Sequence, residues 1–223
     1  MPTTELLARG PWVPSQVKVK WSSDPFKADA ESTMQADHEL DRLRERGSPS
    51  YDGLAARLAG FRVTDSGLEL DLQPIRWSLR LLDRAAGSLS AQCVLRDADG
   101  RWLAGRRAAW VASWAGRWAL GAAGAVEVDE NPVDTMVREL QEEWSVQPRR
   151  LSVEALIEVE TGMVMIVGQA WLADGETVSP DDEHDRYAWW PADLSRWPAE
   201  GDVPLRDVAT LLTTPPAARL SRG

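Results

Sequence analysis

The segment 131–144 constrains the fold of this chain more than any other. Asn131 is a strong helix-capping residue, and Pro132 suits the first helical position, where its missing N–H costs nothing. The spacing predicts a helix over Pro132–Trp144 with two distinct faces. Val133, Met136, Val137, Leu140 and Trp144 form an apolar stripe, whereas Glu139, Glu142 and Glu143 fall at i, i+3 and i+4 on a separate face. Such a stripe needs an apolar surface to lie on, and the flanking sequence supplies strands. Residues 89–95 and 102–107 alternate around Asp97-Ala98-Asp99-Gly100, and residues 153–160 and 163–172 meet at Thr161-Gly162. Strands on both sides of a helix in this order predict an α/β layered domain.

With 223 residues the chain has room for one large domain or two small ones. No fixed-period repeat is present, which removes solenoids and propellers. The pattern divides near residue 86. Before it come an extended stretch at 17–21, a polar helical stretch over 24–46 and the turn formers Ser48-Pro49-Ser50-Tyr51-Asp52-Gly53. A hairpin of residues 60–63 and 68–72 around Thr64-Asp65-Ser66-Gly67 follows. Residues 1–86 therefore read as a small α/β accessory region, 87–213 as the main domain and 214–223 as a tail. Within the main domain, the apolar, glycine-rich stretch 114–128 leads into the glutamate helix, and short helices are expected at 192–196 and 204–212.

A formal net charge of −10 argues against a phosphate-backbone binder, so no nucleic-acid partner is expected. An acidic protein still accepts an anionic small molecule where divalent cations lie between its carboxylates and the phosphates. No apolar run approaches the roughly 20 residues that span a bilayer, and Met1-Pro2-Thr3-Thr4-Glu5 lacks the features of a secretory signal. The expectation is a cytoplasmic protein without a membrane partner. Cys93, the single cysteine, excludes an internal disulfide and reads as a buried small side chain in an apolar run. Twelve tryptophans against two phenylalanines and two tyrosines leave room for a homodimer interface.

Taken alone, the three glutamates would be a solvated acidic face, where like charges at that spacing repel by a few tenths of a kcal/mol per pair. A hard divalent cation with oxygen ligands would turn the repulsion into coordination. The longer frame favours the second reading. Gly124 is followed after five residues by Glu130, after seven more by Arg138, and then by Glu139-Leu140-Gln141-Glu142-Glu143 and Val146. This resembles the Nudix box, G-x5-E-x7-R-E-U-x-E-E-x-G-U with U aliphatic. Six charged or glycine positions agree in register, a coincidence on the order of once in 10^5 chains of this length. Ser145 stands where the family has glycine, at the exit of the helix, where a left-handed conformation is expected and serine would cost about 1 kcal/mol.

The resemblance covers about 88–198 and implies a Nudix α/β/α sandwich with a mixed sheet. It implies Mg²⁺, or Mn²⁺ in its place, bound by Glu142 and Glu143 with help from Glu139 and the carbonyl of Gly124. It also implies that Arg138 orients the glutamates and Glu130 braces the loop. The expected reaction is hydrolysis of a phosphoanhydride bond in a nucleoside diphosphate linked to another moiety, and the accessory region points to a nucleotide sugar. The general base is either a box glutamate, Glu139, or the later Glu183 in Asp181-Asp182-Glu183-His184-Asp185. The alternative is a non-catalytic Nudix-fold module that senses a nucleotide or sugar phosphate.

Other constellations are weaker. Two histidines, His38 and His184, are too few for a histidine-based metal site, and no G-x-S-x-G elbow supports a serine triad. Gly121-Ala122-Ala123-Gly124 lacks the Lys-Ser/Thr of a phosphate loop and reads as the tight turn opening the box. Arg101, Arg106 and Arg107, near the strand before the box, are candidates to reach a substrate phosphate, with surface solubility as the default. Trp110, Trp114 and Trp118 recur every four residues, either as a helical stripe or as loop anchors.

Overall fold

The computed structural model describes residues 4–48, 52–84 and 86–215. Pro49, Ser50 and Tyr51 of the turn cluster, and the tail from residue 216, lie outside the described residues. The chain runs β1 (Glu5–Trp12), β2 (Val17–Trp21), α1 (Ala30–Glu45), β3 (Leu54–Thr64), β4 (Gly67–Arg76), a 3-10 helix (Trp77–Leu81), β5 (Leu89–Arg96), β6 (Trp102–Arg107), β7 (Trp118–Leu120) and β8 (Ala122–Ala125). It continues through α2 (Pro132–Trp144), β9 (Arg150–Glu158), β10 (Val164–Trp171), β11 (His184–Trp190) and α3 (Val203–Thr213).

The larger sheet has the order β1-β9-β10-β5-β6-β11, with β7 pairing β6 and β8 pairing β5. Its β5–β10 pair is parallel and β9–β10 is antiparallel, so the sheet is mixed. Side chains alternate across β5. Leu89, Ala91, Cys93 and Leu95 share a core with Val133, Met136, Leu140 and Trp144 of α2, while Val94 faces Leu205, Ala209 and Leu212 of α3. One helix therefore covers each face, which is the expected α/β/α sandwich. A smaller sheet, β2-β4-β3, carries α1 through Ala36, which packs with Ile75 and Leu79.

Four strands escape the sequence reading: β1, β11, and the short β7 and β8 inside the glycine-rich stretch 114–128. β1 joins the larger sheet at its edge beside β9, although it comes from the segment set apart as accessory. Its Gly10-Pro11 pair is unusual within a strand, and a register shift falls between Arg9 and Trp12. β11 begins inside the acidic run 181–185, where charge hides the alternation. α1 starts later than the expected 24–46, because Asp29 caps it by accepting from the Ser32 N–H at 2.7 Å. The tryptophans at 110, 114 and 118 form no helical stripe. Trp110 and Trp114 lie exposed in turns, and Trp118 opens β7 against Trp190 with ring centroids 5.5 Å apart. Among the described residues no helix is long and apolar enough to cross a membrane.

Candidate active site

The glutamates are positioned by both ends of α2. Asn131 Oδ1 accepts from the Val133 N–H at 3.0 Å, and its Nδ2 donates to the Val17 carbonyl at 3.2 Å, fixing where the helix begins. At the far end the buried Trp144 indole donates to the Gly121 carbonyl at 3.0 Å. Ser145 then takes φ 57° and ψ 36°, the left-handed exit expected at a position where the family has glycine. Gly121, with φ 63°, makes the turn before β8. Gly124 itself lies within β8 rather than in a tight turn, and glycine is needed there for space: a Cβ would overlap the Glu139 carboxylate.

Arg138 organises one half of the site. Its guanidinium donates to Glu130 at 3.0 and 3.1 Å, to Glu139 Oε1 at 2.7 Å, to Glu142 Oε2 at 3.1 Å and to the Ala125 carbonyl at 3.3 Å. Glu130 also accepts from the Thr135 hydroxyl at 2.6 Å and the Glu127 N–H at 3.1 Å. Burial works to raise the Glu130 carboxyl, but the bonds from Arg138 and Thr135 outweigh it and hold the group below the ordinary range. The loop before α2 is thus pinned to the helix through one arginine.

The other half lies deeper. Glu143 is 4% exposed, and burial pushes its carboxyl well above the ordinary value against the opposing charge of Arg107. Its Oε1 lies 3.4 Å from the Ala123 N–H and 3.5 Å from Arg107 Nη1, whereas Oε2 is buried without a hydrogen-bond partner. Glu139 is likewise raised, by burial first, with Arg138 opposing. Arg107 reaches onward to Glu183 Oε2 at 2.9 Å. His184 packs its ring on Trp144 with centroids 4.5 Å apart and places Nε2 3.8 Å from Glu143 Oε2. Burial and the charge of Arg107 pull His184 down to about 4, so the ring is neutral at pH 7.

The structure brings Gly124, Glu130, Arg138, Glu139, Glu142, Glu143 and Glu183 into one neighbourhood. Of the three arginines singled out earlier, Arg107 enters it, while Arg101 pairs with Asp97 and Asp99 and Arg106 is bidentate to Asp185. His184, set aside as one of too few histidines, sits at its floor; adjacency to Glu183 was the only signal available. Among the described residues no three His, Cys, Asp or Glu side chains form a ready-made metal cage, since the carboxylates are divided between Arg138 and Arg107. Cys93 is fully buried and burial pushes its thiol far up, which suits packing and not nucleophilic chemistry.

A family model described as NUDIX domain matches residues 88–210. A search of curated proteins gave no match. Among solved structures, the chain is similar to the MutT NUDIX hydrolase from Burkholderia pseudomallei, with 24% identity over 56% of this chain and 98% of that one, at a TM-score of 0.46. It is similar to the MutT protein from Methanosarcina mazei Go1, with 26% identity over 47% and 76% and a TM-score of 0.40. It is also similar to the NUDIX domain of Shewanella oneidensis NrtR, solved with ADP ribose, with 20% identity over 56% and 88% and a TM-score of 0.41. Because the family model spans more than half of the chain, this protein belongs to the NUDIX domain family.

Proposed function

We propose that the protein hydrolyses a nucleoside diphosphate linked to another moiety, with a nucleotide sugar as the substrate class, in a Mg²⁺-dependent reaction. The observation that carries this reading is Glu143 Oε2, a carboxylate oxygen buried without a partner beside Glu139. An unpaired buried acceptor is costly, and a hard cation with oxygen ligands removes that cost. The donor set therefore fits Mg²⁺, with Mn²⁺ as a substitute. Glu139, Glu142 and Glu143 would hold it, with the Gly124 carbonyl alongside. When bound, the cation neutralises phosphate oxygens and acidifies water.

The chain's own residues supply the rest. Arg138 holds Glu139 and Glu142 in one orientation, so that their mutual repulsion does not splay the site. Glu183 accepts the proton of the attacking water. It suits that role better than Glu139, whose carboxylate is pressed against Gly124 and paired with Arg138, whereas the Glu183 side chain is 37% exposed and, among the described residues, held by Arg107 alone. Water attacks phosphorus in line, the anhydride P–O bond breaks, and the leaving phosphate carries away the charge. In this reading residues 87–213 are the hydrolase unit, β2 to β4 with α1 form the accessory part of 1–86, and β1 serves the hydrolase sheet.

The test is a product screen of the purified chain with Mg²⁺ against nucleotide sugars, dinucleoside polyphosphates, dinucleotides and nucleoside triphosphates. The expected products are a nucleoside monophosphate and a sugar phosphate. Ligand-induced thermal stabilisation without product from any class, under Mg²⁺ or Mn²⁺, would instead identify a sensing module.

A further inference from the structure

Glu143 Oε2 faces a second buried polar atom without a hydrogen-bond partner, His184 Nε2, at 3.8 Å. The two side chains are 5% and 1% exposed, so bulk water reaches neither. Trp144 covers one face of the imidazole with ring centroids 4.5 Å apart. Gly105 clears its edge, since a Cβ there would overlap His184 Cδ2 and the Trp144 indole. Backbone hydrogen bonds fix the loop that carries the ring. The Ser179 and Asp181 N–H groups donate to the Trp144 and Glu143 carbonyls at 2.9 and 3.0 Å, and the Glu183 carbonyl accepts from the Ala108 N–H at 2.7 Å. His184 and Glu143 are thus held opposite each other by the end of α2 and the loop docked on it.

Asp181 sets the tautomer. Its Oδ1 lies 3.4 Å from His184 Nδ1 and already accepts from the Glu183 N–H at 3.0 Å, so the carboxylate is an acceptor and Nδ1 carries the ring proton. A neutral imidazole protonated at Nδ1 leaves a bare lone pair at Nε2. That lone pair faces a carboxylate oxygen, and two acceptors cannot satisfy each other. A cation shared by both does. Two metal bonds of about 2.0–2.2 Å each span up to about 4.4 Å, and the 3.8 Å between Nε2 and Oε2 falls inside that reach. Metal-ligating histidines commonly give their other ring N–H to a carboxylate, and Asp181, His184 and Glu143 supply that order of groups.

We propose that His184 Nε2 is a nitrogen ligand to the cation held by Glu143, and that this nitrogen makes the site bind Mn²⁺ more tightly than Mg²⁺. This rests on Glu143 being a metal ligand and not on which substrate is cleaved. Mg²⁺ takes oxygen ligands, whereas imidazole suits first-row transition ions. Two histidines are too few for a histidine cage, but one nitrogen added to carboxylates is enough to shift the preference. The other coordination positions stay with the remaining glutamates, water and phosphate oxygens.

The experiment is electron spin-echo envelope modulation on the untagged full chain loaded with Mn²⁺, together with calorimetric titration of Mn²⁺ and of Mg²⁺. The wild type is expected to show imidazole ¹⁴N modulation that changes when its histidines carry ¹⁵N, persists in His38→Gln and disappears in His184→Gln. His184→Gln should weaken Mn²⁺ about tenfold or more and Mg²⁺ less than about threefold. Unliganded melting within about 3 °C of the wild type shows that a variant folds. Should His184→Gln fail this, the isotope change in the His38→Gln chain decides, because His184 is then the single histidine left. Bound Mn²⁺ without ¹⁴N modulation would overturn the assignment and leave the glutamate reading standing. Modulation unchanged by the label or kept in a folded His184→Gln chain, or equal weakening of both ions, would also overturn it. No Mn²⁺ binding by the wild type would overturn both. If Mn²⁺ is bound through this nitrogen in a chain that cleaves no diphosphate substrate, the hydrolytic reading fails and the His184 ligand stands.

Discussion

Ser145 shows how a single residue separates loop geometry from chemistry. Its left-handed φ of 57° is where a Cβ is penalised and glycine is not, so Ser145→Gly should stabilise the protein by about 0.5–1 kcal/mol while leaving turnover unchanged. A lower melting temperature would mean that the serine side chain holds the helix exit in some other way. Glu130 carries a pH-dependent contribution. Its folded-state carboxyl is held below the ordinary glutamate value of 4.5, so the stability it supplies is fully present above that value and is lost as pH falls through the lower folded value. Glu130→Gln should therefore cost about 2 kcal/mol at neutral pH and flatten the acid limb of the melting curve against pH. An acid limb that keeps its slope in the variant would place the titrating group elsewhere.

At the scale of elements, α2 was legible because its signals are local: the cap at Asn131, the apolar stripe and the glutamates at helical spacing all fall within one segment. β5, β6, β9 and β10 were legible for the same reason, through alternation bounded by turns. β1 and β11 were not, because an edge strand is defined by its partner. The strand ELLARGPW has a weak pattern of its own and is held by pairing with β9 and by Arg9. Arg9 reaches Glu154 at 3.1 Å and donates to the carbonyls of Leu211 and Thr214 at 2.8 and 3.0 Å, tying β1 to β9 and to the end of α3. The Arg9 and Glu154 side chains are only 16% and 10% exposed, so Arg9→Ala leaves a buried carboxylate without its counter-charge, held only by the Ser152 hydroxyl among the described residues. It should cost about 3 kcal/mol and lower the melting temperature by roughly 6–12 °C. A melting temperature equal to the wild type would show that β1 is not coupled to the sheet in this way. Arg107 was legible only as one of three candidates with Arg101 and Arg106, because a single arginine has no period and its meaning comes from what the fold sets opposite it.

For the whole molecule, a net charge of −10 is compatible with the proposed cleavage of a phosphoanhydride only if positive charge, from arginines and a bound cation, is set where phosphate lies. The structure concentrates arginines at the glutamate cluster, with Arg138 and Arg107 on the carboxylates. Among the described residues none hydrogen-bonds the buried Glu143 Oε2, which lies 3.8 Å from His184 Nε2. The fold class and the box were readable from sequence because the family's motif is contiguous. The way residues before 87 join the rest was not readable, since contacts such as Asn131 to Val17 and the shared core of Leu68, Leu70 and Leu72 with Met136 and Leu140 bring together residues far apart in the chain. Hydrolysis is proposed to depend on a cation held by Glu142 and Glu143. The direct measurement is kcat/KM on the substrate found in the product screen, for the wild type and for the double variant Glu142→Gln, Glu143→Gln, each with Mg²⁺ and with a chelator. The double variant and the chelated wild type are both expected to lose on the order of 10^3-fold or more with the fold intact. Turnover that persists without metal, or in the double variant within about tenfold of the wild type, would contradict the account.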